Sequence, residues 1–243
     1  MNKEQSKWQT RELARIFSEG VLGAIPGARI QLEIFSTISN AQCPLPARIL
    51  DLGYGDGLLG RMLLEEFPAA HMVFADFSEP MLEKLRGKIG SDIRATVINL
   101  DFATPDWLQS LGSEKPFDII VSGFALRNQP DERKRVLYGE IYGLLNSGGL
   151  FLNLDQVSSA SPSISEIFDS FFLDHIRSFH TMAVLNEAML RIEAAYYQDK
   201  KENIPAPVES QCQWLRETGF QEVDCFFKTF ELALFGGRKI SQS

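Results

Sequence analysis

The chain has 243 residues, 44% of them hydrophobic and 23% charged, with 24 Lys and Arg against 32 Asp and Glu for a formal net charge of -8. This composition excludes disordered, collagenous and coiled-coil chains, and a chain of this length buries roughly 70% of its unfolded surface without help from disulfides or a structural metal. No basic block runs beyond three residues, Arg133-Lys134-Arg135, with Lys200-Lys201 the next, so there is no electrostatic footprint for gripping phosphate backbones and nucleic acid is a disfavoured partner.

The first segment, residues 1–45, reads as a helical N-terminal cap. Leu13, Ile16 and Phe17, then Ile30, Ile34, Phe35 and Ile38, fall at helical spacing on either side of a Pro26-Gly27 turn. Its start is charged and lacks the apolar core of a signal peptide, and nowhere do 18 apolar residues run together. Cys43, Cys212 and Cys225 stand far apart and form neither a zinc pair nor a disulfide framework. A cytoplasmic protein that contacts no membrane, monomeric or homodimeric, is the expectation.

From residue 46 onward, strand-like runs and helical spacings alternate. The predicted strands are Arg48 to Gly53, Met72 to Phe77, Ala95 to Asp101, Phe117 to Gly123, Leu150 to Val157, Glu222 to Lys228 and Glu231 to Gly237. Helical faces fall between the early ones: Leu58, Leu59, Met62 and Leu63; Met81, Leu82, Leu85 and Ile89; Val136, Leu137, Ile141 and Leu144. Ser78 precedes Glu79-Pro80 as an N-cap. Asn146-Ser147-Gly148-Gly149 reads as a glycine C-cap before the fifth strand.

This alternation predicts an α/β fold whose sheet is doubly wound and mostly parallel, with helices on both faces. Thr229 and Phe230 are too short a link for a crossover, so the last strand must be antiparallel. A helical lid is expected as an insertion over residues 158–205 of the 46–243 domain, carrying Ile167, Phe168, Phe171, Phe172, Ile176, Met189, Leu190 and Ile192. Cap and lid should both sit over the carboxyl ends of the strands, where open α/β sheets bind ligands.

The most informative stretch is Asp51-Leu52-Gly53-Tyr54-Gly55-Asp56-Gly57-Leu58-Leu59-Gly60, a strand entering a glycine turn that opens a helix. Gly55-x-Gly57-x-x-Gly60 satisfies the dinucleotide fingerprint, with Asp76 in the place of the ribose acid. Asp51-x-Gly53-x-Gly55-x-Gly57 instead has the form that marks S-adenosylmethionine binding. Gly53 ends the strand, which starts the dinucleotide fingerprint two residues late. A carboxylate at the strand end also repels a pyrophosphate and attracts an ammonium and a sulfonium. Position and charge favour the methyl donor.

With these motifs, the chain from about Arg48 to Lys239 resembles the class I S-adenosylmethionine-dependent methyltransferases of small-molecule type. The resemblance implies that Asp76 in FADFSEPML binds the ribose hydroxyls with Phe77 beside the adenine, and that Asp101 in NLDFAT reads the adenine amino group with Phe102 adjacent. It places Ser122 and Gly123 of FDIIVSGFALRNQPD near the cofactor and Phe124 to Asn128 towards the acceptor. The tail PVESQCQWLRETGFQEVDCFFKTFELALFGGRK resembles the family's closing helix and hairpin. S-adenosyl-L-methionine is therefore the expected cofactor, and Asp51, Gly53, Tyr54, Gly55, Gly57, Asp76, Phe77, Asp101, Phe102 and Ser122 are its candidate ligands.

Methyl transfer from a sulfonium needs alignment, desolvation and in some cases a base, but no metal. His175 and His180 are the candidate bases in the lid, each also readable as an ordinary packed or surface histidine. Tyr196 and Tyr197 are alternatives. Arg127 and Asn128 could hold a polar acceptor, with Phe172 and Tyr197 on an apolar wall, and either Arg29 or Arg127 could meet the donor's carboxylate. Three other functions stay open: a carboxy-S-adenosylmethionine-type transferase on transfer-RNA wobble uridine, an NAD-dependent oxidoreductase, and a binding protein that has lost its chemistry.

Overall fold

The computed structural model describes residues 25–179 and 185–240; Leu13, Ile16, Phe17 and His180 lie outside the described residues, as do the side chains of Met189 and Leu190. Seven strands form one sheet: β1 (Arg48–Leu52), β2 (His71–Asp76), β3 (Ala95–Asn99), β4 (Phe117–Gly123), β5 (Leu145–Gln156), β6 (Gln221–Thr229) and β7 (Leu232–Arg238). The helices are α1 (Ala28–Gln42), α2 (Leu58–Glu66), α3 (Glu79–Ile89), α4 (Trp107–Ser110), α5 (Asp131–Leu144), α6 (Pro162–Phe179), α7 (Leu185–Glu202) and α8 (Val208–Thr218).

The spatial order is β3-β2-β1-β4-β5-β7-β6. Strands β1 to β5 pair in parallel, and β7 runs antiparallel to both β5 and β6. The expected doubly wound sheet with a reversed last strand is the fold observed. Alternation along each strand sends residues to opposite faces. Leu50, Leu52, Val73 and Phe151 meet Leu137, Tyr138, Ile141 and Leu215 from α5 and α8 on one side. Ile49, Met72, Phe74 and Leu152 meet Phe35, Leu63 and Leu85 from α1, α2 and α3 on the other. The strand order reverses between β1 and β4, which opens a crevice at their carboxyl ends.

Three expectations need correction. The helix before β5 does not end in a glycine cap: Leu145 already has extended backbone and pairs with Phe117, and Gly148, at φ 83°, belongs to the irregular start of the strand. Val136 points outward, 54% exposed, and Tyr138 fills the buried face of α5. The α1 segment lies along a sheet face rather than over the strand ends. Phe35 is fully buried there, and Cys43 reaches the Asp118 carbonyl near the start of β4. Only the beginning of α1 reaches the crevice.

The lid expected over 158–205 is a helix pair. Tyr196 donates to Asp169 at 2.6 Å, Lys200 pairs with the same carboxylate, and Phe172 stacks on Tyr196. Among the described residues, no helix is long and apolar enough to cross a membrane.

Candidate active site

The crevice is a cavity of about 420 Å³, within the size range of small-molecule sites. Residues from the strand ends converge on it: Asp51 of β1, Asp76 closing β2, and Asp101 just past β3. The glycine turn is shaped by contacts that leave no room for side chains. At Gly53, φ is 71° and a Cβ would stand 2.4 Å from that of Ala125 in the turn after β4. This close approach seals the wall between the two halves of the sheet.

Asp51 faces α2. Its Oδ2 accepts the amide N–H of Gly60 at 2.8 Å, within the helix's first turn, while its Oδ1 is buried without a partner. Burial raises its pKa to about 7, partly offset by that N–H and increased further by Asp56 and Asp76. Asp76 bridges two turns, accepting from Ser78 N at 2.9 Å through Oδ1 and from Gly55 N at 3.0 Å through Oδ2. Burial again dominates, raising its pKa to about 6. Asp101 accepts from Ala103 N at 2.9 Å. The Tyr54 hydroxyl is buried and unpartnered, and burial followed by the Asp76 charge pushes its pKa far up, so the phenol stays protonated.

The turn after β4 forms the opposite wall. Phe124 has a left-handed φ of 54°, unusual for an aromatic residue, and its N–H is held by the Leu154 carbonyl at 2.8 Å. Arg127 is only 3% exposed and committed to protein groups. It donates to Asp199 Oδ2 at 3.3 Å, Asn203 Oδ1 at 3.2 Å and the Phe124 carbonyl, with Asp155 Oδ1 at 3.6 Å. The Oδ1 of Asn128 is buried without a partner.

The cavity thus brings together Asp51, Gly53, Tyr54, Gly55, Asp76, Phe77, Asp101, Phe102, Gly123, Phe124, Arg127 and Asn128 of the residues singled out from the sequence. Others lie off its walls. Gly57 is the left-handed N-cap of α2, where a Cβ would meet Leu85 at 2.4 Å. Ser122 is fully buried behind the wall and donates to the Leu52 carbonyl at 2.8 Å. His175 and Phe172 sit in the helix pair, Tyr197 is 44% exposed, and Arg29 pairs with Glu33. Gln31, Asp56, Leu154 and Glu202 line the cavity without having been anticipated. Leu154 had a signal, since it lies in the strand beside β4; Gln31 and Glu202 come from the cap and the lid expected over the strand ends, though neither residue was singled out there. Among the described residues, no cluster of side chains could hold a metal ion.

An open α/β sheet of this strand order places its ligand crevice at the reversal, and three successive strand ends each bring an acid to it. The family model described as "Methyltransferase domain" matches residues 49–149. A demethylmenaquinone methyltransferase of Leptospira interrogans is 32% identical over 124 residues, 51% of this chain and 49% of that protein, so the chain spans about half the length of these relatives. A carboxy-S-adenosyl-L-methionine synthase of Nautilia profundicola is 21% identical over 231 residues, 92% and 91% of the two chains. In fold, the chain is similar to a Methanococcus maripaludis protein classed as an S-adenosyl-L-methionine-dependent methyltransferase, with a TM-score of 0.65 at 19% identity over 100% and 99% of the two chains. Residues 49–149 thus match a methyltransferase domain, and the chain as a whole shares the fold of the S-adenosyl-L-methionine-dependent methyltransferase it is similar to.

Proposed function

We propose that the protein transfers a methyl group from S-adenosylmethionine to an oxygen, nitrogen or carbon atom of a small, partly apolar molecule. The observation that carries this reading is the convergence of Asp51, Asp76 and Asp101 on one cavity where Asp51 Oδ1 and the Tyr54 hydroxyl lack partners. A buried acceptor without a donor is costly unless a ligand supplies one. The residues present fit the cofactor. Asp76 would take the ribose hydroxyls, Asp101 the adenine amino group between Phe77 and Phe102, and Asp51 with Tyr54 the amino-acid end.

When bound, S-adenosylmethionine supplies a methyl group already activated on sulfonium. The chain's own groups orient and exclude water. Tyr54 stays neutral and serves as a hydrogen-bonding group rather than a base. Of the carboxylates on the walls, Glu202, at the end of the lid, is the one outside the donor half. The cytosol is the proposed location, with a small-molecule partner and a monomeric or homodimeric state; Cys43, Cys212 and Cys225 as free thiols support a reducing compartment.

The oxidoreductase alternative loses support at the glycine turn. Gly57, whose backbone the dinucleotide fingerprint brings against the pyrophosphate, packs on Leu85, and the N–H groups of Leu58 and Gly60 are already accepted by Asp56 and Asp51. The likeness to carboxy-S-adenosyl-L-methionine synthases, which spans nearly the whole chain, favours a second reading in which the donor or product is carboxylated. The commitment of Arg127 to Asp155 and Asp199 weighs against it. Calorimetry with S-adenosylhomocysteine and with carboxy-S-adenosylmethionine tests the choice. Tighter binding of the unmodified nucleoside upholds the methyltransferase, and preference for the carboxylated compound replaces it.

A further inference from the structure

We infer that Arg133 is a positioning residue for the nucleoside end of the cavity. From α5 it holds the turn after β3 so that Asp101 and Phe102 meet the adenine, an inference that rests on the transferase reading above. Both hydrogen bonds that the Phe102 carbonyl accepts among the described residues come from this one side chain, from Nε at 3.0 Å and from Nη2. Nη2 also reaches the Thr104 carbonyl at 3.5 Å. By contrast, the bonds around Asp101 are local to the turn. Its Oδ1 accepts the Ala103 N–H at 2.9 Å, and its carbonyl accepts from Thr104 N at 3.1 Å and Thr104 Oγ1 at 2.8 Å. They shape the bend, and Arg133 ties its middle to a neighbouring element.

The guanidinium is itself fixed. Glu140 accepts from Nη1 at 3.1 Å through Oε1 and from Nη2 at 2.9 Å through Oε2, and Trp107 Nε1 donates to the same Oε2 at 2.7 Å. Arg133 and Glu140 lie seven apart and so share a helix face, which grips the chain at Phe102 and again at Trp107, both buried. Paired, charge-assisted bonds of this kind fix direction as well as distance, which a lysine cannot reproduce at both partners. The grip sets an aromatic ring against the glycine turn: a Cβ at Gly53 would stand 3.2 Å from Phe102 Cε1. Asp101 and Phe102 line the cavity, whereas Arg133 is not on its wall and acts through the backbone. A carboxylate only accepts, so Asp101 selects a base that offers an N–H. Adenine offers an exocyclic amino group where hypoxanthine presents a carbonyl. A shift of the Phe102 carbonyl carries the adjoining Asp101 with it, and hydrogen bonds weaken steeply once their angle is lost.

The test is calorimetry of the full chain with S-adenosylhomocysteine and with S-inosylhomocysteine, in which a carbonyl replaces the amino group. The wild type should prefer the adenine compound by about tenfold or more, as expected for a hydrogen bond to a charged group. Arg133→Met should cut that preference by about threefold or more, chiefly through weaker binding of the adenine compound. Arg133→Lys keeps a charge beside Glu140 to preserve folding and should cut the preference in the same direction. A role confined to stability would lower the melting temperature and leave the ratio of affinities as it is. An unchanged ratio in the folded variants therefore overturns the inference, and so does a wild type that binds the two compounds alike. Absence of any S-adenosylhomocysteine binding by the wild type refutes the transferase reading itself, and the inference falls with it.

Discussion

Asp51 and Asp76 are the residues on which the account turns, because each is a carboxylate held in a place that disfavours its charge. A folded-state pKa of about 7 for Asp51 means that the folded chain binds a proton which the unfolded chain has already released. The group's favourable contribution is therefore full below about pH 4 and lost as pH rises through 7. Asp51→Asn should accordingly raise the melting temperature of the unliganded protein at pH 8 and change it little at pH 4, while weakening S-adenosylhomocysteine binding. A melting temperature unchanged at pH 8 would show that Asp51 carries no burial penalty. Asp76→Ala should weaken the same ligand by about 1–3 kcal/mol through loss of charged hydrogen bonds, measured by calorimetry; unaltered affinity would remove Asp76 from the site. Asp51 was legible because its strand runs into a glycine turn at the sheet edge, whereas Asp76 and Asp101 were legible only through the family resemblance of FADFSEPML and NLDFAT. Ser122 and Gly57 lie near the same edge but turn inward, a matter of depth that spacing along the chain does not encode.

At the scale of elements, α2 depends on its left-handed N-cap. Gly57→Ala meets both an unfavourable φ of 73° and the Leu85 side chain, and should cost about 1–3 kcal/mol in denaturant unfolding without adding anything to the cavity. An undiminished midpoint would mean that the turn tolerates a side chain. The end of α7 is fastened to the turn after β4 by the Arg127 side chain and by the Ile204 N–H to the Arg127 carbonyl at 2.9 Å, and to α5 by the buried Lys134, which donates to the Ile204 carbonyl. Arg127→Met should speed amide exchange over residues 199–204 while β1 and β2 keep their protection; uniform exchange throughout the chain would deny the fastening. Most elements were legible from periodicity, including the reversal forced by the Thr229-Phe230 link. The glycine cap was misread because Gly148 takes its left-handed conformation inside a strand that borders Lys239, a pairing distant in sequence. The cap was misplaced for a related reason. An amphipathic helix announces that one face is covered but not by which surface, and α1 found a sheet face.

For the whole molecule, the site exists because strand order reverses between β1 and β4, so that chain segments from residue 25 to residue 202 meet in one crevice. Its acidic lining makes ligand binding proton-linked. A cationic ligand favours the ionised forms of Asp51 and Asp76, so binding should release protons and strengthen as pH rises from about 5.5 to 7.5. The direct measurement is a calorimetric titration of the full chain near pH 6.5 with S-adenosylmethionine and, separately, with NAD, in two buffers of different ionisation enthalpy. The account predicts that the sulfonium nucleoside binds with proton release and that NAD produces no heat of binding. Binding of NAD alone, or uptake of protons with the methyl donor, would contradict it.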